Sequence, residues 1–172
     1  MFFKAEAQTP PVGKQGSASN IADSLYTLGN YTQAINEYAK ENNINSKLQI
    51  ARAYNAIGNF EKAIAQYENI INSNENLQIA RFELGKLFFK LDDFRAANTI
   101  FYNLTLEENE NPVYFYYLGE TYRGSGEEAS SLVAYKKAVA LDSTHLRSLF
   151  QLGKYFVVKK KRTKLWTISR KD

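Results

Sequence analysis

The chain has 172 residues, 44% hydrophobic and 14% aromatic, so by length it is one domain with enough apolar content to bury a core. It has no cysteine, which excludes a disulfide framework and thiolate chemistry, and its single histidine cannot supply a catalytic triad or a zinc ligand set. The net charge of +4 is uneven: residues 154–172 hold eight Lys or Arg and one Asp, a charge of +7 that leaves −3 for the rest, and no apolar run approaches the ~18 residues a membrane span needs.

Residues 1–14 contain Pro10, Pro11 and Gly13 without helical periodicity and read as an unstructured lead. Ala5-Glu6-Ala7 resembles the cleavage site of an export signal, but only Phe2 and Phe3 stand where an apolar segment should precede it. An ordinary terminus is the favoured reading, with a cytoplasmic setting by default. A clipped signal, and so an exported protein, is the alternative.

Helical periodicity then begins. Residues 17–28 and 31–42 form a first helix pair that Glu41-Asn42-Asn43 closes early. Residues 46–57 and 60–72 form a second, followed by an Asn-rich link, 72–76, whose side chains can cap the next helix. The third pair is 77–90 and 94–106. Asn111-Pro112 is a cap followed by Pro at the first helical position, where its missing N–H costs nothing. It opens the fourth pair, 112–124 and 128–141. Asp142-Ser143-Thr144 caps a last helix, about 145–159, with His145 in a capping or surface role.

Two tracks run through these pairs. Gly58-Asn59-Phe60 with Ala63 and Tyr67 recurs as Gly29-Asn30-Tyr31 with Ala34 and Tyr38, as Asp92-Asp93-Phe94 with Ala97 and Phe101, and in worn form as Gly126-Glu127-Glu128 with Ser131 and Tyr135. From 58 to 92 to 126 the step is 34 residues; from 29 to 58 it is 29. Self-similarity at such a period marks a stacked repeat. Gly29, Gly58 and Gly126 fall where a first helix must end in left-handed backbone, and Asp92 takes that place once. The second track is a large apolar residue, then Ala or Gly, then an aromatic or Leu three further on: Ile21-Ala22 with Leu25, Ile50-Ala51 with Tyr54, Leu84-Gly85 with Phe88, Leu118-Gly119 with Tyr122, Leu152-Gly153 with Phe156. Glycine inside a helix costs roughly 1 kcal/mol against Ala, so its return at one phase points to close helix approach.

These tracks resemble the tetratricopeptide repeat, a 34-residue helix-turn-helix unit, over roughly residues 15–158. The resemblance implies an all-α, right-handed solenoid of about four full repeats plus one extra helix, with 1–14 as a lead and 159–172 as a basic tail. Glu128 in the aromatic place and Ser131 in the Ala place predict looser packing in the fourth pair. After residue 159 the motif fails: no turn residue stands near Lys160, no aromatic near Arg162 and no Ala near Leu165. The array therefore reads as cut short, with an open apolar end at Leu149, Leu152 and Phe156 able to drive self-association.

In such repeats the first helices line a concave groove. Carried over, the partner-binding residues are Arg52 and Asn55, then Phe82, Lys86 and Phe89, then Tyr116, Glu120 and Arg123, and finally Phe150 and Lys154. An aromatic stripe with charged flanks suits an extended peptide or a partner helix. The competing reading packs the same aromatics between adjacent pairs, and Phe115 and Tyr117 are expected in the core. The carboxylate-clamping subgroup of the family is not matched, because Ser19, Asp23, Gln49 and Glu83 stand at its places. No cofactor, metal or catalytic set is implied, and the lone Gly124-Ser125-Gly126 runs into two glutamates. A second class of function rests on Lys159-Lys160-Lys161-Arg162 with Trp166: binding of nucleic acid or an anionic surface. A solvated, frayed end is the plainer reading of that run.

Overall fold

The computed structural model describes residues 18–73 and 78–169, with side chains described up to Lys161. The lead at 1–14 with its signal-like Ala5-Glu6-Ala7, most of the Asn-rich link and the side chain of Trp166 lie outside the described residues. The described residues are helix and turn with no strand: α1 Ala18–Thr27, α2 Tyr31–Tyr38, α3 Ile44–Ala56, α4 Phe60–Asn72, α5 Gln78–Lys90, α6 Phe94–Glu107, α7 Pro112–Gly124, α8 Glu128–Leu141 and α9 Leu146–Ser169. This is the helical-repeat fold that the 34-residue step predicts. The chain divides into two compact units, Met1–Ala63 and Ile64–Asp172.

The turns between the helices of a pair share one construction. Gly29, Gly58, Asp92 and Gly126 all sit at positive φ, from 58° at Asp92 to 80° at Gly58 and Gly126. In each turn the residue after this point donates its backbone N–H five residues back: Asn30 to Leu25, Asn59 to Tyr54, Asp93 to Phe88 and Glu127 to Tyr122, at 2.8–2.9 Å. The left-handed residue bonds three back, which together satisfies carbonyls the helix end leaves open. Asp92 holds the position without being glycine, and Asp93 caps α6 by accepting from the Ala96 N–H at 3.0 Å.

In the first unit Ala22, Ala34 and Tyr38 form a buried cluster between α1 and α2, with Leu25, Tyr26 and Ile50 against it. Helix α2 has 8 residues where α4 has 13, and those five missing residues are the difference between the steps of 29 and 34. Asn43 stops the chain there and starts α3 with a capping box: its side chain accepts from the Ser46 N–H, and the Ser46 hydroxyl accepts from the Asn43 N–H.

In the second unit the core is Ala97, Phe101, Leu104, Tyr114, Leu118 and Ala134, with Phe82, Phe88 and Tyr117 packed against it. The glycines of the second track explain its compactness. A Cβ on Gly85 would lie 2.9 Å from the Phe101 ring, and one on Gly119 would lie 2.6 Å from the Tyr135 ring. Each first helix thus takes the aromatic of its own second helix directly onto its backbone. Ser131 is buried, but its hydroxyl donates to the Glu128 carbonyl at 2.8 Å, so Ser fills the Ala place without an unpaired polar group.

The last helix is a correction. Instead of ending near 159, α9 continues to Ser169. Lys160 stands 34 residues after Gly126, and Lys-Lys-Lys-Arg offers good helix formers where every other turn has a residue able to go left-handed. Its start is capped by His145, one of the two roles expected of that residue. Asp142 accepts from the Thr144 N–H, while His145 stands at the helix start and its Nδ1 accepts from the Ser148 N–H at 3.3 Å.

Candidate functional site

The stripe expected to bind a partner is one helical face repeated at the 34-residue step: Phe82, Lys86 and Phe89 on α5, Tyr116, Glu120 and Arg123 on α7, Phe150 and Lys154 on α9. All eight lie in the second unit. Arg52 and Asn55, half-buried on α3, lie in the first.

Phe82 is half-buried and ringed by aromatics, 5.3 Å from Tyr117, 5.5 Å from Tyr114 and 6.0 Å from Phe101, while Tyr117 stacks on Phe101 at 5.1 Å. Tyr116, one step on, meets Tyr117 at 5.2 Å and His145 at 5.5 Å, with the Arg147 guanidinium 6.0 Å from its ring. Both rings therefore face the next first helix along the chain. Phe150 is 69% exposed. The same position is an inter-pair packing site twice and an open aromatic once. Phe89 leans on Phe94 at 5.7 Å, and the Lys86 ammonium stands 5.4 Å from the Phe82 ring. Arg123 and Lys154 are exposed.

Glu120 lies inside the protein, 5% exposed. Its Oε1 accepts from the Tyr135 hydroxyl at 2.6 Å and from Gln151 Nε2 at 2.7 Å, and its Oε2 accepts from Arg123 Nη2 at 2.8 Å. One carboxylate so ties α7, α8 and α9 together. Burial pushes the Tyr135 phenol well above its usual range, helped by the bond to Glu120 and by that residue's charge. The same arrangement occurs in the first unit, where the Tyr38 hydroxyl donates to Asp23 at 2.5 Å and burial again raises the phenol. The rule is visible in the sequence only in retrospect: where the residue after the track's Ala or Gly is acidic, its pair supplies Tyr. In α5 that residue is Lys86, and the pair supplies Phe101.

Two hollows flank these helices. One of about 160 Å³ is lined by Arg123, Glu128, Tyr135, Gln151, Lys154 and Tyr155, and so brings two of the expected cations together over the Glu120 network. Another of about 570 Å³ lies among α6, α7 and α8, lined by Tyr102, Leu106, Phe115, Tyr122, Val133 and Lys137. Sequence reasoning missed it. Phe115, expected in the core, is half-buried on its wall with the Lys137 ammonium 5.8 Å from its ring. The signal available was the set of large apolar residues off the buried faces, Tyr102, Leu106 and Val133, all exposed. The basic run is also at the surface, with Lys159, Lys160 and Lys161 exposed on α9.

Among the described residues no group of His, Cys, Asp or Glu could hold a metal ion, and no helix is long and apolar enough to cross a membrane. The one Ser–His contact, Ser148 Oγ to His145 Nδ1 at 2.9 Å, involves a fully buried serine that no substrate reaches, and it serves as the start of α9.

Hairpins at a repeated step, small residues under aromatics and glycine-type turns define a helical-repeat protein. Residues 44–77 match the family model of the tetratricopeptide repeat, and the hairpins on either side share its fold. The chain is similar to the solved structure of MamA 41-end from Desulfovibrio magneticus RS-1, with a TM-score of 0.73 at 19% identity over 86% of each chain. A second MamA structure gives 0.71 at 24% identity over 83% of this chain and 86% of that one. YrrB, described as a TPR protein with an unusual peptide-binding site, gives 0.69 at 18% identity over 79% of this chain and 73% of that one. No curated protein matches the sequence.

Proposed function

We propose that the chain is a non-catalytic interaction scaffold that holds an extended peptide or a partner helix against the first helices of its repeats. The observation that carries this is the open end of the stripe: Phe150 with Lys154, preceded one step back by exposed Arg123. An aromatic anchor beside exposed cations suits a peptide-binding surface. Phe82 and Tyr116 join as walls, since their rings are shared with the next helix, and Glu120 acts from within by fixing Arg123. Arg52 and Asn55 hold the matching repeat positions on α3. The peptide-binding site of the YrrB structure supports the choice of ligand class.

The test is to pan a displayed peptide library against the immobilised chain and to repeat it with Lys86→Glu and Lys154→Glu together. Enriched peptides that bind the parent and lose about tenfold or more on the variant, with an unchanged circular-dichroism melt, support the reading. Failure to enrich any sequence, or equal binding to the variant, overturns it. The basic run is tested in the same series. Salt-sensitive binding of a single-stranded oligouridylate that disappears on deleting 159–172, with no peptide enriched, would place the function in α9's cations instead.

A further inference from the structure

In α5 and α7 the track glycine is a seat. Phe101 of α6 rests on Gly85 and Tyr135 of α8 rests on Gly119, so close that a methyl group would collide. Gly153, the next in the series, has no described atom within 4 Å of where its Cβ would stand. Around it Leu146, Leu149 and Phe156 are exposed, by 78%, 40% and 53%. Leu149, Gly153, Phe156 and Lys160 are spaced by four, three and four residues, which places them on one face of α9. Their counterparts one step back, Phe115, Gly119 and Tyr122, form the face of α7 that α8 covers, with Tyr135 on the glycine and Lys137 over Phe115. Helix α9 thus carries a complete seat for a second helix, its glycine included.

Charge chooses the occupant. From Leu146 to Ser169 the helix has Arg147, Lys154, Lys159, Lys160, Lys161, Arg162 and Lys164, and no Asp or Glu. A second copy would bring the same cations against these. A nucleic acid would meet the charge but leave Leu149, Phe156 and the glycine seat unused. A helix with carboxylates on its flanks satisfies both.

We propose that this face of α9 docks an acidic amphipathic helix of a partner protein, seating an aromatic ring on Gly153. The register follows α6 and α8, a small residue with the aromatic four positions later, as Ala97 precedes Phe101 and Ser131 precedes Tyr135. The Tyr135 hydroxyl is satisfied by the Glu120 carboxylate; α9 has no Asp or Glu, so the docked ring is Phe, which carries no hydroxyl to satisfy. This surface is separate from the Phe150 and Lys154 stripe, and the two can fail independently.

The experiment uses the full chain and two fluorescein-labelled helical peptides built on residues 128–141. One keeps that sequence; the other carries Tyr135→Phe, Lys136→Glu and Lys137→Glu. Fluorescence anisotropy is expected to show the acidic peptide binding at least about tenfold tighter, with the preference lost in about 0.5 M salt. Gly153→Leu, at an exposed helical position, fills the seat and is expected to weaken the acidic peptide about tenfold or more without lowering the melting midpoint. Replacing Lys159, Lys160 and Lys161 by Glu is expected to reverse the order of the two peptides. Equal binding of both peptides, or an unaltered affinity in the Gly153→Leu protein, overturns the proposal. So does a chain that sediments as a dimer which Gly153→Leu disperses, since the occupant is then a second copy. An oligonucleotide that competes for α9 regardless of Gly153→Leu overturns it in favour of nucleic acid.

Discussion

At the scale of single residues, Gly85, Gly119 and Gly153 share one sequence context and differ in what touches them. Adding a methyl to Gly119 forces the Tyr135 ring away from contact at 2.6 Å, and overpacking of this kind costs about 1–3 kcal/mol. At Gly153 the same change meets open space and gains helix propensity, up to about 1 kcal/mol. Urea unfolding of Gly119→Ala and Gly153→Ala is therefore expected to give opposite signs; the same sign for both would mean that Gly153 is also packed. Glu120 is the other decisive residue. Glu120→Ala strips the partner from the buried Tyr135 hydroxyl and from Gln151, and is expected to cost about 1–3 kcal/mol per orphaned group. The phenols of Tyr38 and Tyr135 set the alkaline limit. Burial raises both above the unfolded value near 10, so their contribution is whole below about pH 10 and falls as pH rises beyond it, where the unfolded chain releases protons that the folded chain holds. Titration followed at the phenolate absorbance should show these phenols ionising only as the helical signal collapses. Residue-level facts were the least legible in the sequence. Glu120 is expected in the partner-binding groove from its place in the repeat, and only the fold shows the three donors that permit its burial.

At the scale of elements, the turns decide where helices stop. Asp92 occupies left-handed backbone at φ 58°, which costs an L-residue roughly 1–2 kcal/mol that glycine does not pay. Asp92→Gly should raise the unfolding midpoint, because the α6 cap belongs to Asp93 and is retained; a loss of stability would mean that the Asp92 side chain holds the turn in some further way. The helix bounds from α4 to α8 were readable almost to the residue, since each begins and ends at such a marker: Asn111-Pro112, Asp93, Gly126. Helix α9 was not readable, for the same reason inverted. With Lys160 in place of the turn residue nothing stops the helix, and a motif search that looks for repeats sees only the motif's failure, not the helix that continues through it.

At the scale of the whole chain, the repeat step carries the pattern by which each pair buries its aromatic and small residues. The stripe proposed to bind a partner was legible as a periodicity but not as an exposure pattern: Phe82, Tyr116 and Phe150 look alike in sequence, yet two are shared with the following helix and one stands open. The hollow lined by Phe115 escaped for the complementary reason, since its exposed rim of Tyr102, Leu106 and Val133 follows no repeat position. The central claim is that paired helices stabilise one another and that the Gly153 face of α9, uncovered among the described residues, serves as a surface for a partner. Amide hydrogen exchange of the free protein, comparing α9 with α7 at the 34-residue register, tests it most directly. The account predicts that amides from Gly153 to Val158 exchange at least about tenfold faster than those from Gly119 to Gly124, and that α7 is protected to near the global limit. Equal protection of the two stretches would contradict it, because α9 would then already be covered.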